Sequence, residues 1–529
     1  MAPMATFDNP VISGFYPDPS ACRVGDDFYL VTSTFEYFPG VPIFHSRDLV
    51  NWRQIGHCLT RPSQVPLHRC KPSGGIFAPT LRYHPGRRRF YMVTTNTTSG
   101  GHFYVWADDP AGEWSEPVWV GLHGGIDPSL FFDDDGRTYF TSTGHEIARA
   151  PAGPVRALLQ TEIDFDTGKA VGDTRGLWTG TGRAHLEGPH LYKIAGRYYL
   201  LASEGGTEYG HMVVVARAAL PWGPFENCPY NPILSHRSTE HELQATGHAE
   251  LIEATDGTWW AVFLAFRPVH YPPRHHLGRE TCLAPVTWTA DGWPVIGDGG
   301  IAPLRNAPIA LPPHPWPDAP HRDDFDAPTL GLPWNHVRNP RPADYSLTDR
   351  PGWLTLRGSA LTLDDQGSPT YVARRQQHFY ARVETLMAFA PARAGEEAGL
   401  AVRYDEQHHY DFVVRTAEVG DGREAIVRCR VGMLNPIVGR VPLPPTEDVR
   451  LRIEAAPFTY TFSAATDGGE FQRVAEAETR LLSKEVAGGF TGVYVGPYAT
   501  GTGQPATVPA TFDWFDYVPL PDDGKRTTW

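Results

Sequence analysis

A pattern of two short apolar runs separated by a glycine turn occurs five times in the first 300 or so residues of this 529-residue chain. The leading residues of the five copies are Asp18, Ala78, Asp127, Glu187 and His248. By subtraction they lie 60, 49, 60 and 61 residues apart. Repeats of this length built from strand and turn signals are typical of β-propeller blades. The sequence therefore predicts a five-bladed propeller whose leading residues surround one end of a central channel.

The pattern changes after a proline-rich passage that begins near Ala307. Proline lacks a backbone donor and stiffens extended chain, so this passage is predicted to be a linker. Beyond it, segments such as 353–356 and 449–453 alternate apolar and polar residues, which is typical of an antiparallel β-sandwich. We predict an all-β chain with a propeller over residues 1–306, a linker over 307–320 and a sandwich over 321–529.

Composition narrows the classes of partner. The net charge is −14, and no basic cluster occurs, so nucleic acid and anionic membranes are not expected partners. The six cysteines are scattered without a CxxC pair and are interpreted as reduced core thiols. The N-terminus shows neither a basic start nor an apolar stretch typical of a signal peptide, and no run of about 20 apolar residues occurs. We expect a cytoplasmic protein.

Three carboxylates and a histidine in the predicted ring favour acid/base chemistry. Asp18 and Asp127 each precede a proline, and taken alone each fits an ordinary turn. Glu187 lies at the start of an apolar strand, where a carboxylate has no turn role and its burial is costly. Turn residues need not fall on equivalent positions of separate blades, so their combination favours a functional site.

Seven strings carry a resemblance to a known family. They cover the first domain in family order, at 15–20, 34–42, 73–79, 126–131, 187–190, 203–207 and 277–281. These segments resemble glycoside hydrolase family 43, the inverting β-xylosidases and α-L-arabinofuranosidases. The second domain resembles the concanavalin-like jelly-roll sandwich of the xylosidase branch through 324–325, 338–340 and 490–492. The resemblance implies that this sandwich closes one side of the pocket.

The resemblance also implies roles for the three carboxylates. Asp18 matches the family's general base and Glu187 its general acid. Inversion needs both, with room between them for a water molecule. Asp127 matches a third carboxylate that orients the acid and, through its negative charge, raises the acid's pKa.

Further positions match substrate-binding residues of the family. Arg279 matches an arginine that contacts a sugar hydroxyl, although a surface ion pair with Glu280 is the alternative. Thr207 matches a sugar-contacting threonine, and a plain strand threonine is an equal interpretation. His248 matches a channel histidine held near the base, against the alternative of a hydrogen-bonded core histidine.

Aromatic side chains are expected to form the sugar platform, because the C–H faces of a sugar pack on rings. Phe35 and Phe77 match the family's pocket aromatics, but position 77 is usually Trp in the family. Ile126 stands where several xylosidases carry Phe. Both departures reduce the aromatic surface around the sugar and bear on sugar preference rather than on the reaction.

No metal is predicted in the catalytic steps, because inverting glycoside hydrolysis requires no cofactor. A structural Ca²⁺ in the channel near His248 is one implication of the resemblance. A further group of histidines, His270, His275 and His276, lies in a proline-rich segment and is interpreted as a plain loop rather than a metal cluster.

The first hypothesis is an exo-acting β-D-xylosidase on xylo-oligosaccharides that also accepts terminal α-L-arabinofuranose. A second is an enzyme that mainly removes arabinofuranose from arabinoxylan or arabinan. A non-catalytic sugar-binding propeller is a third, but a lectin would repeat one site across its blades, and here the leading residues differ. The sandwich as an independent polysaccharide-binding module is a further alternative, which the short linker disfavours. The expected partner is an oligosaccharide, and homo-oligomers are common in the family.

Overall fold

The computed structural model describes residues 6–122, 124–146, 155–305, 307–308, 310–420 and 422–522. The first five and last seven residues, where the sequence places the start of the propeller and the end of the sandwich, lie outside the described residues. Strands dominate both halves. The described helical elements are the 3₁₀ turns Pro342–Asp344 and Thr479–Leu482 and the short α-helix Lys484–Ala487.

Five antiparallel sheets, numbered here blades 1 to 5, follow one another along the first half of the chain. Blade 1 consists of strands Ser20–Val24, Asp27–Val31, Gly40–Ser46 and Arg53–Leu59, and blade 2 of strands Ile76–His84, Arg89–Asn96, Gly101–Ala107 and Val118–Trp119. Blade 3 consists of strands Ile126–Phe132, Thr138–Glu146, Val155–Asp164, Lys169–Ala170 and Arg175–Trp178. Blade 4 consists of strands Glu187–Ile194, Arg197–Glu204, Met212–Ala218 and Glu226–Asn227, and blade 5 of strands Gln244–Glu253, Trp259–Phe266, Glu280–Trp288 and Pro294–Ile296. The predicted five-bladed propeller is confirmed.

The first strand of each blade lies innermost, and neighbouring first strands contact each other around the ring. The ring is closed by the N-terminal segment, which packs on blade 5. The Asn9 side chain donates to the Leu283 carbonyl at 2.8 Å and accepts from the Leu283 amide at 2.8 Å. Thr6–Phe7 also pairs with Ala307–Pro308, which ties the end of the propeller to its beginning.

The top of each inner strand has an unusual backbone. Asp18, Ala78, Asp127 and His248 have φ values of 53°, 37°, 57° and 49°, in the left-handed region that L-residues seldom occupy. In blade 4 the residue with this conformation is Gly188, at φ 61°. The prediction that Glu187 is equivalent to the other four leading residues is therefore wrong by one position.

The strand pairing explains the offset. A β-bulge follows Phe77 in blade 2, Ile126 in blade 3 and Glu187 in blade 4, so these three residues are structurally equivalent. Glu187 thus occupies the position before the left-handed residue.

The proline-rich segment is fixed to blade 1. The His314 amide donates to Asp48 at 2.6 Å, and the Trp316 indole donates to the Asn51 carbonyl at 3.1 Å. The Arg53 guanidinium lies 4.2 Å from the centre of the Trp316 ring. This segment is a packed strap rather than a swinging connection.

The second half of the chain forms two eight-stranded antiparallel sheets. One contains, in spatial order, Tyr345–Ser346, Leu354–Leu356, Ala510–Pro519, Ala381–Ala388, Val449–Ala455, Thr459–Thr466 and Gln472–Glu478, with Arg322–Asp323 paired to Ala510–Pro519. The other contains Ile437–Leu443, Arg423–Val431, His408–Thr416, Glu397–Asp405, Tyr494–Thr500, Thr370–Arg375, Asn335–Val337 and Tyr37–Phe38. Alternating apolar residues of both sheets form one core between them, as expected for a sandwich.

The last strand of the second sheet, Tyr37–Phe38, belongs to blade 1 and pairs with Asn335–Val337. The propeller therefore contributes an edge strand to the sandwich. The Tyr37 ring stacks on Tyr494 with centroids 3.8 Å apart, and Phe15 packs in the same cluster. The two halves share a hydrophobic core at the mouth of the channel. In the described part of the chain, no helix is long and apolar enough to cross a membrane.

Candidate active site

A pocket opens at the top of the propeller channel, beneath the sandwich. It is lined by Asp18, Phe35, Phe77, Ala78, Ile126, Asp127, Glu187, Thr207, His248, Arg279 and Phe490. All nine residues that the sequence analysis singled out as catalytic or substrate-binding are in this lining. Ala78 and Phe490 complete it.

Asp18 is buried and held by two donors. The Ser33 hydroxyl donates to its Oδ2 at 2.7 Å, and Arg279 Nη1 donates to its Oδ1 at 2.7 Å. Burial raises the pKa of Asp18, but Arg279, His248 and Ser33 together outweigh burial and hold this pKa below the usual range. Asp18 is therefore a fixed carboxylate that can accept a proton from water.

Glu187 faces the pocket from blade 4, and no described residue donates a hydrogen bond to its carboxyl group. Its Oε2 lies 4.0 Å from Arg156 Nη2, and its Oε1 lies 3.6 Å from His211 Nε2. Burial is the main cause that raises the pKa of Glu187 to about 7, and the negative charge of Asp18 adds to this effect. Glu187 can therefore keep its proton near neutral pH.

Asp127 accepts a hydrogen bond from the Gly188 amide at 3.1 Å. Burial, with the charges of Glu187 and Asp18 adding to it, raises the pKa of Asp127 to about 7 against the opposing effect of His248. Asp127 thus fixes the backbone next to Glu187. The sequence predicts that the charge of Asp127 raises the pKa of Glu187. In the structure burial is the main cause that raises this pKa, and the negative charge that adds to it is that of Asp18.

Arg279 connects the base to the rest of the pocket. Its Nη1 reaches Thr207 Oγ1 at 3.3 Å as well as Asp18, and its Nη2 donates to the Phe490 carbonyl at 3.2 Å. The surface pair with Glu280 does not form, because Glu280 is buried and binds Arg267 at 2.7 and 2.8 Å. Arg279 therefore keeps Asp18 ionised and fixes the sandwich loop on the propeller.

Three phenylalanine rings form one wall. The Phe35 and Phe77 centroids lie 4.7 Å apart, and Phe490 lies 6.1 Å from Phe35 and 6.4 Å from Phe77. Phe490 comes from the sandwich, and its amide donates to Ser73 Oγ at 2.8 Å. Lys484, in the short helix just before it, donates to the Thr207 carbonyl at 2.9 Å. The pocket is thus completed by the second domain.

His248 lies at the floor of the pocket. Its Nδ1 is 3.8 Å from Asp18 Oδ1, and its amide donates to Ser203 Oγ at 2.6 Å. A Cβ atom at Gly188 would lie 3.1 Å from the His248 ring, so a larger residue there would crowd it. This packing explains why blade 4 carries glycine at the left-handed position.

A structural Ca²⁺ near His248 would depend on the side chains that line this part of the channel. This ion takes six to eight oxygen ligands. In the described ranges, no group of three or more His, Cys, Asp or Glu side chains is arranged to hold a metal. The Arg82 guanidinium occupies this level instead, bound to Glu250 and 3.2 Å from His190 Nδ1. The residues present do not fit a protein-ligated Ca²⁺ site.

Sequence reasoning missed three residues near Glu187 or at the rim of the pocket: Phe490, Lys484 and His211. Phe490 lies in a string that matched the family, but nothing local indicated that it crosses to the other domain. The proline-rich histidine loop also reaches the sandwich, where His275 Nδ1 binds Glu485 at 2.8 Å.

Carboxyl groups with oppositely shifted pKa values, an arginine and an aromatic wall in one pocket are the arrangement expected of a glycosidase. Residues 7–294 match the family model described as glycosyl hydrolases family 43, and residues 322–518 match the β-xylosidase C-terminal concanavalin A-like domain. The chain belongs to glycoside hydrolase family 43.

Relatives with assigned names cover nearly the whole chain. A non-reducing end α-L-arabinofuranosidase of Bacteroides ovatus is 47% identical over 97% of this chain and 94% of its own length. A xylan 1,3-β-xylosidase of Vibrio sp. is 38% identical over 97% of this chain and 99% of its own. A xylosidase/arabinosidase of Humicola insolens is 35% identical over 98% of both.

Solved structures agree with this fold. The Bacteroides ovatus protein described as xyloglucan PUL GH43B has a TM-score of 0.92 at 47% identity, and the match covers 98% of this chain and all of that one. A xylan β-1,4-xylosidase from Bacillus halodurans has a TM-score of 0.91 at 38% identity, covering 97% of this chain and all of that one.

Proposed function

We propose that this protein is an exo-acting, inverting glycosidase that removes terminal α-L-arabinofuranosyl units and also accepts terminal β-D-xylosyl units. One observation carries the reaction type. Asp18 is held ionised while burial keeps a proton on Glu187, in one pocket. An inverting glycosidase needs such a pair, one carboxylate to activate water and one carboxylic acid to protonate the leaving oxygen.

In this proposal, Asp18 in blade 1 removes a proton from the attacking water. Glu187 in blade 4 gives its proton to the glycosidic oxygen. Blades 1 and 4 are not neighbours in the ring, so the sugar sits between the two groups. Asp127 holds the Gly188 backbone next to the acid, and Arg279 keeps the base charged.

The proposed sugar preference rests on the names of similar proteins and on two residues of the pocket wall. The relative that is 47% identical is named an α-L-arabinofuranosidase, and relatives at 35–38% identity are named xylosidases or xylosidase/arabinosidases. Phe77 and Ile126 leave the wall with less aromatic surface than the Trp and Phe that the family resemblance leads one to expect. These two observations favour arabinofuranose as the preferred unit, with xylose as the second candidate.

The experiment compares initial rates on 4-nitrophenyl α-L-arabinofuranoside and 4-nitrophenyl β-D-xylopyranoside. We expect faster cleavage of the arabinofuranoside, and loss of both activities in Asp18→Asn. Proton NMR of the first-formed sugar checks inversion, since an α-L-arabinofuranoside should release the β-anomer. Retention of configuration, or full activity of Asp18→Asn, would contradict the proposal. Faster xyloside cleavage would favour the second candidate.

A further inference from the structure

His211 lies beside the proposed acid and has no part in the scheme above. It follows the Thr207 loop in blade 4 and is fully buried. Its Nε2 is 3.6 Å from Glu187 Oε1. In the described part of the chain, no hydrogen-bond partner lies within reach of this nitrogen. An unpaired nitrogen in the interior is costly unless it serves some state of the molecule.

The other ring nitrogen fixes the tautomer of His211. Nδ1 lies 3.1 Å from the Ala245 carbonyl oxygen. A carbonyl oxygen only accepts, so Nδ1 must carry the hydrogen of this contact. In the neutral ring Nε2 is then a bare acceptor, and it points at Glu187.

The surroundings keep the ring neutral. Burial lowers the pKa of His211 to about 3, and the charges of His248 and Arg279 act in the same direction. The Ala245 contact and the negative charge of Asp18 oppose them but do not outweigh burial. Glu187 is the carboxyl group within 4 Å of the ring.

The neighbouring strand is shaped to admit this ring. A Cβ atom on Gly247 would lie 2.2 Å from ring atoms of His211, so any larger residue there would displace the imidazole. Ala245 has φ 55°, an unusual conformation at the residue whose carbonyl accepts from Nδ1. Blade 5 therefore both orients the ring and leaves space for it.

We propose that His211 is a positioning residue whose Nε2 accepts the carboxyl hydrogen of Glu187 in the free enzyme. This inference rests on the proposed role of Glu187 as the acid. The hydrogen bond stabilises the protonated form of Glu187 and holds its hydrogen in the pocket. When substrate binds, the glycosidic oxygen replaces Nε2 as acceptor. The O–H bond of Glu187 breaks and an O–H bond forms on that oxygen as the glycosidic C–O bond breaks, while the anomeric carbon bonds to the water oxygen whose proton passes to Asp18.

The test is the pH dependence of kcat/KM in His211→Phe, which keeps a ring but removes the acceptor. A hydrogen bond that Glu187 donates in its neutral form raises the pKa of Glu187. Loss of this bond should therefore shift the alkaline limb of the pH profile to lower pH by roughly half to one pH unit. His211→Gln, whose amide oxygen can accept, should restore much of this shift. An unmoved limb, or one moved to higher pH as for loss of an ionised His211, would overturn the proposal.

His236 supplies the matched control. It is equally buried, its Nδ1 lies 2.8 Å from the Leu243 carbonyl, and its Nε2 accepts from the Ala302 amide at 2.9 Å. His236→Phe should reduce stability without moving the alkaline limb. Circular dichroism and thermal melts check that each variant is folded.

Glu187→Gln, assayed on a substrate with an activated leaving group, separates the two proposals. If its alkaline limb persists, Glu187 is not the titrating acid and the proposed function fails. If the limb disappears in Glu187→Gln but is unmoved in His211→Phe, only the role of His211 fails.

Discussion

At the scale of single residues, the site separates two chemically similar groups by their surroundings. Asp18 receives hydrogen bonds from Ser33 and Arg279, whereas among the described residues the nearest cationic donor to Glu187 is Arg156 Nη2, 4.0 Å from its Oε2. A carboxyl group that accepts strong hydrogen bonds prefers its charged form, and one that is buried without them prefers its proton. The hydrogen bonds of the two groups, rather than their residue types, therefore determine which group is the base and which is the acid.

Replacing Glu187 by Gln removes the proton donor but keeps the shape of the side chain. We expect kcat on an arabinofuranosyl oligosaccharide to fall by roughly 10²–10⁴-fold, the usual contribution of a general acid. The loss should be much smaller on an aryl glycoside whose leaving group departs without a proton. Steady-state rates on both substrates provide the measurement. Equal losses on the two would remove Glu187 from the acid role.

Some residues of the pocket could be predicted from the sequence and others could not. The repeat alone predicts that Asp18, Asp127, Glu187 and His248 meet at one end of the channel. The other five pocket residues follow from the resemblance of their strings to the family. The one-residue offset between Glu187 and Gly188 could not be predicted, since a bulge changes register without changing the apolar pattern. His211 gave no local signal, and the string that contains Phe490 did not indicate that this ring reaches the pocket, because its partners Phe35 and Phe77 are distant along the chain.

At the scale of elements, the strand His408–Thr416 carries a buried charged network in the sandwich. His409 Nδ1 lies 2.7 Å from Asp411 Oδ1, and its Nε2 lies 2.9 Å from Asp364 Oδ1. Burial lowers the pKa of His409, but the two carboxylates outweigh it and raise this pKa to about 9. The ring is therefore charged in the folded protein at neutral pH.

This network predicts a pH-dependent stability. The unfolded pKa of a histidine is about 6.5, so the contribution of His409 is fully present below about pH 6.5 and is lost as pH rises through about 9. Because a pKa unit corresponds to 1.36 kcal/mol, His409→Gln should destabilise the protein by on the order of 3 kcal/mol more at pH 6 than at pH 9.5. Thermal melts across this range measure the difference.

His336 in the same sandwich provides the comparison. Burial lowers the pKa of His336 to about 4, so its ring stays neutral between pH 6 and 9.5. His336→Gln should therefore cost the same at both ends of the range. A pH-independent effect of His409→Gln as well would mean that His409 is not charged in the folded protein.

At the scale of the whole molecule, the sequence pattern predicts the fold of each half but not the contacts by which the two halves pack together. Blade number and the sandwich class follow from repeat length and alternation, which are local. The pairing of Tyr37–Phe38 with Asn335–Val337 and the shared core between Phe15 and Tyr494 join residues hundreds of positions apart. No periodicity within one domain encodes such contacts.

Polar contacts between the propeller and the sandwich strengthen this joint, the interface between the two halves. Arg338, fully buried in the sandwich, donates from Nε to the Cys70 carbonyl at 2.7 Å and from its amide to the Glu36 carbonyl at 2.8 Å. Arg375 Nε donates to the Phe15 carbonyl at 2.7 Å. Separating the halves would leave these buried donors and several aromatic rings facing water, so neither half has a finished surface alone.

We therefore expect the full chain to unfold in one cooperative transition. Differential scanning calorimetry should show a single peak whose van't Hoff and calorimetric enthalpies agree, as for a two-state unit.

A chain ending at Ala319 should be poorly soluble or inactive, because it lacks Phe490 and exposes the ring cluster around Phe15 and Tyr37. Two separate transitions, together with a soluble and fully active truncated propeller, would instead mean that the sandwich is a dispensable module. Arg338→Met is the intermediate case: it removes the donors to the propeller and also the contacts of Arg338 with Gly367 and Glu406 inside the sandwich. It should lower the transition temperature of the whole molecule rather than split the peak, because the shared apolar core remains.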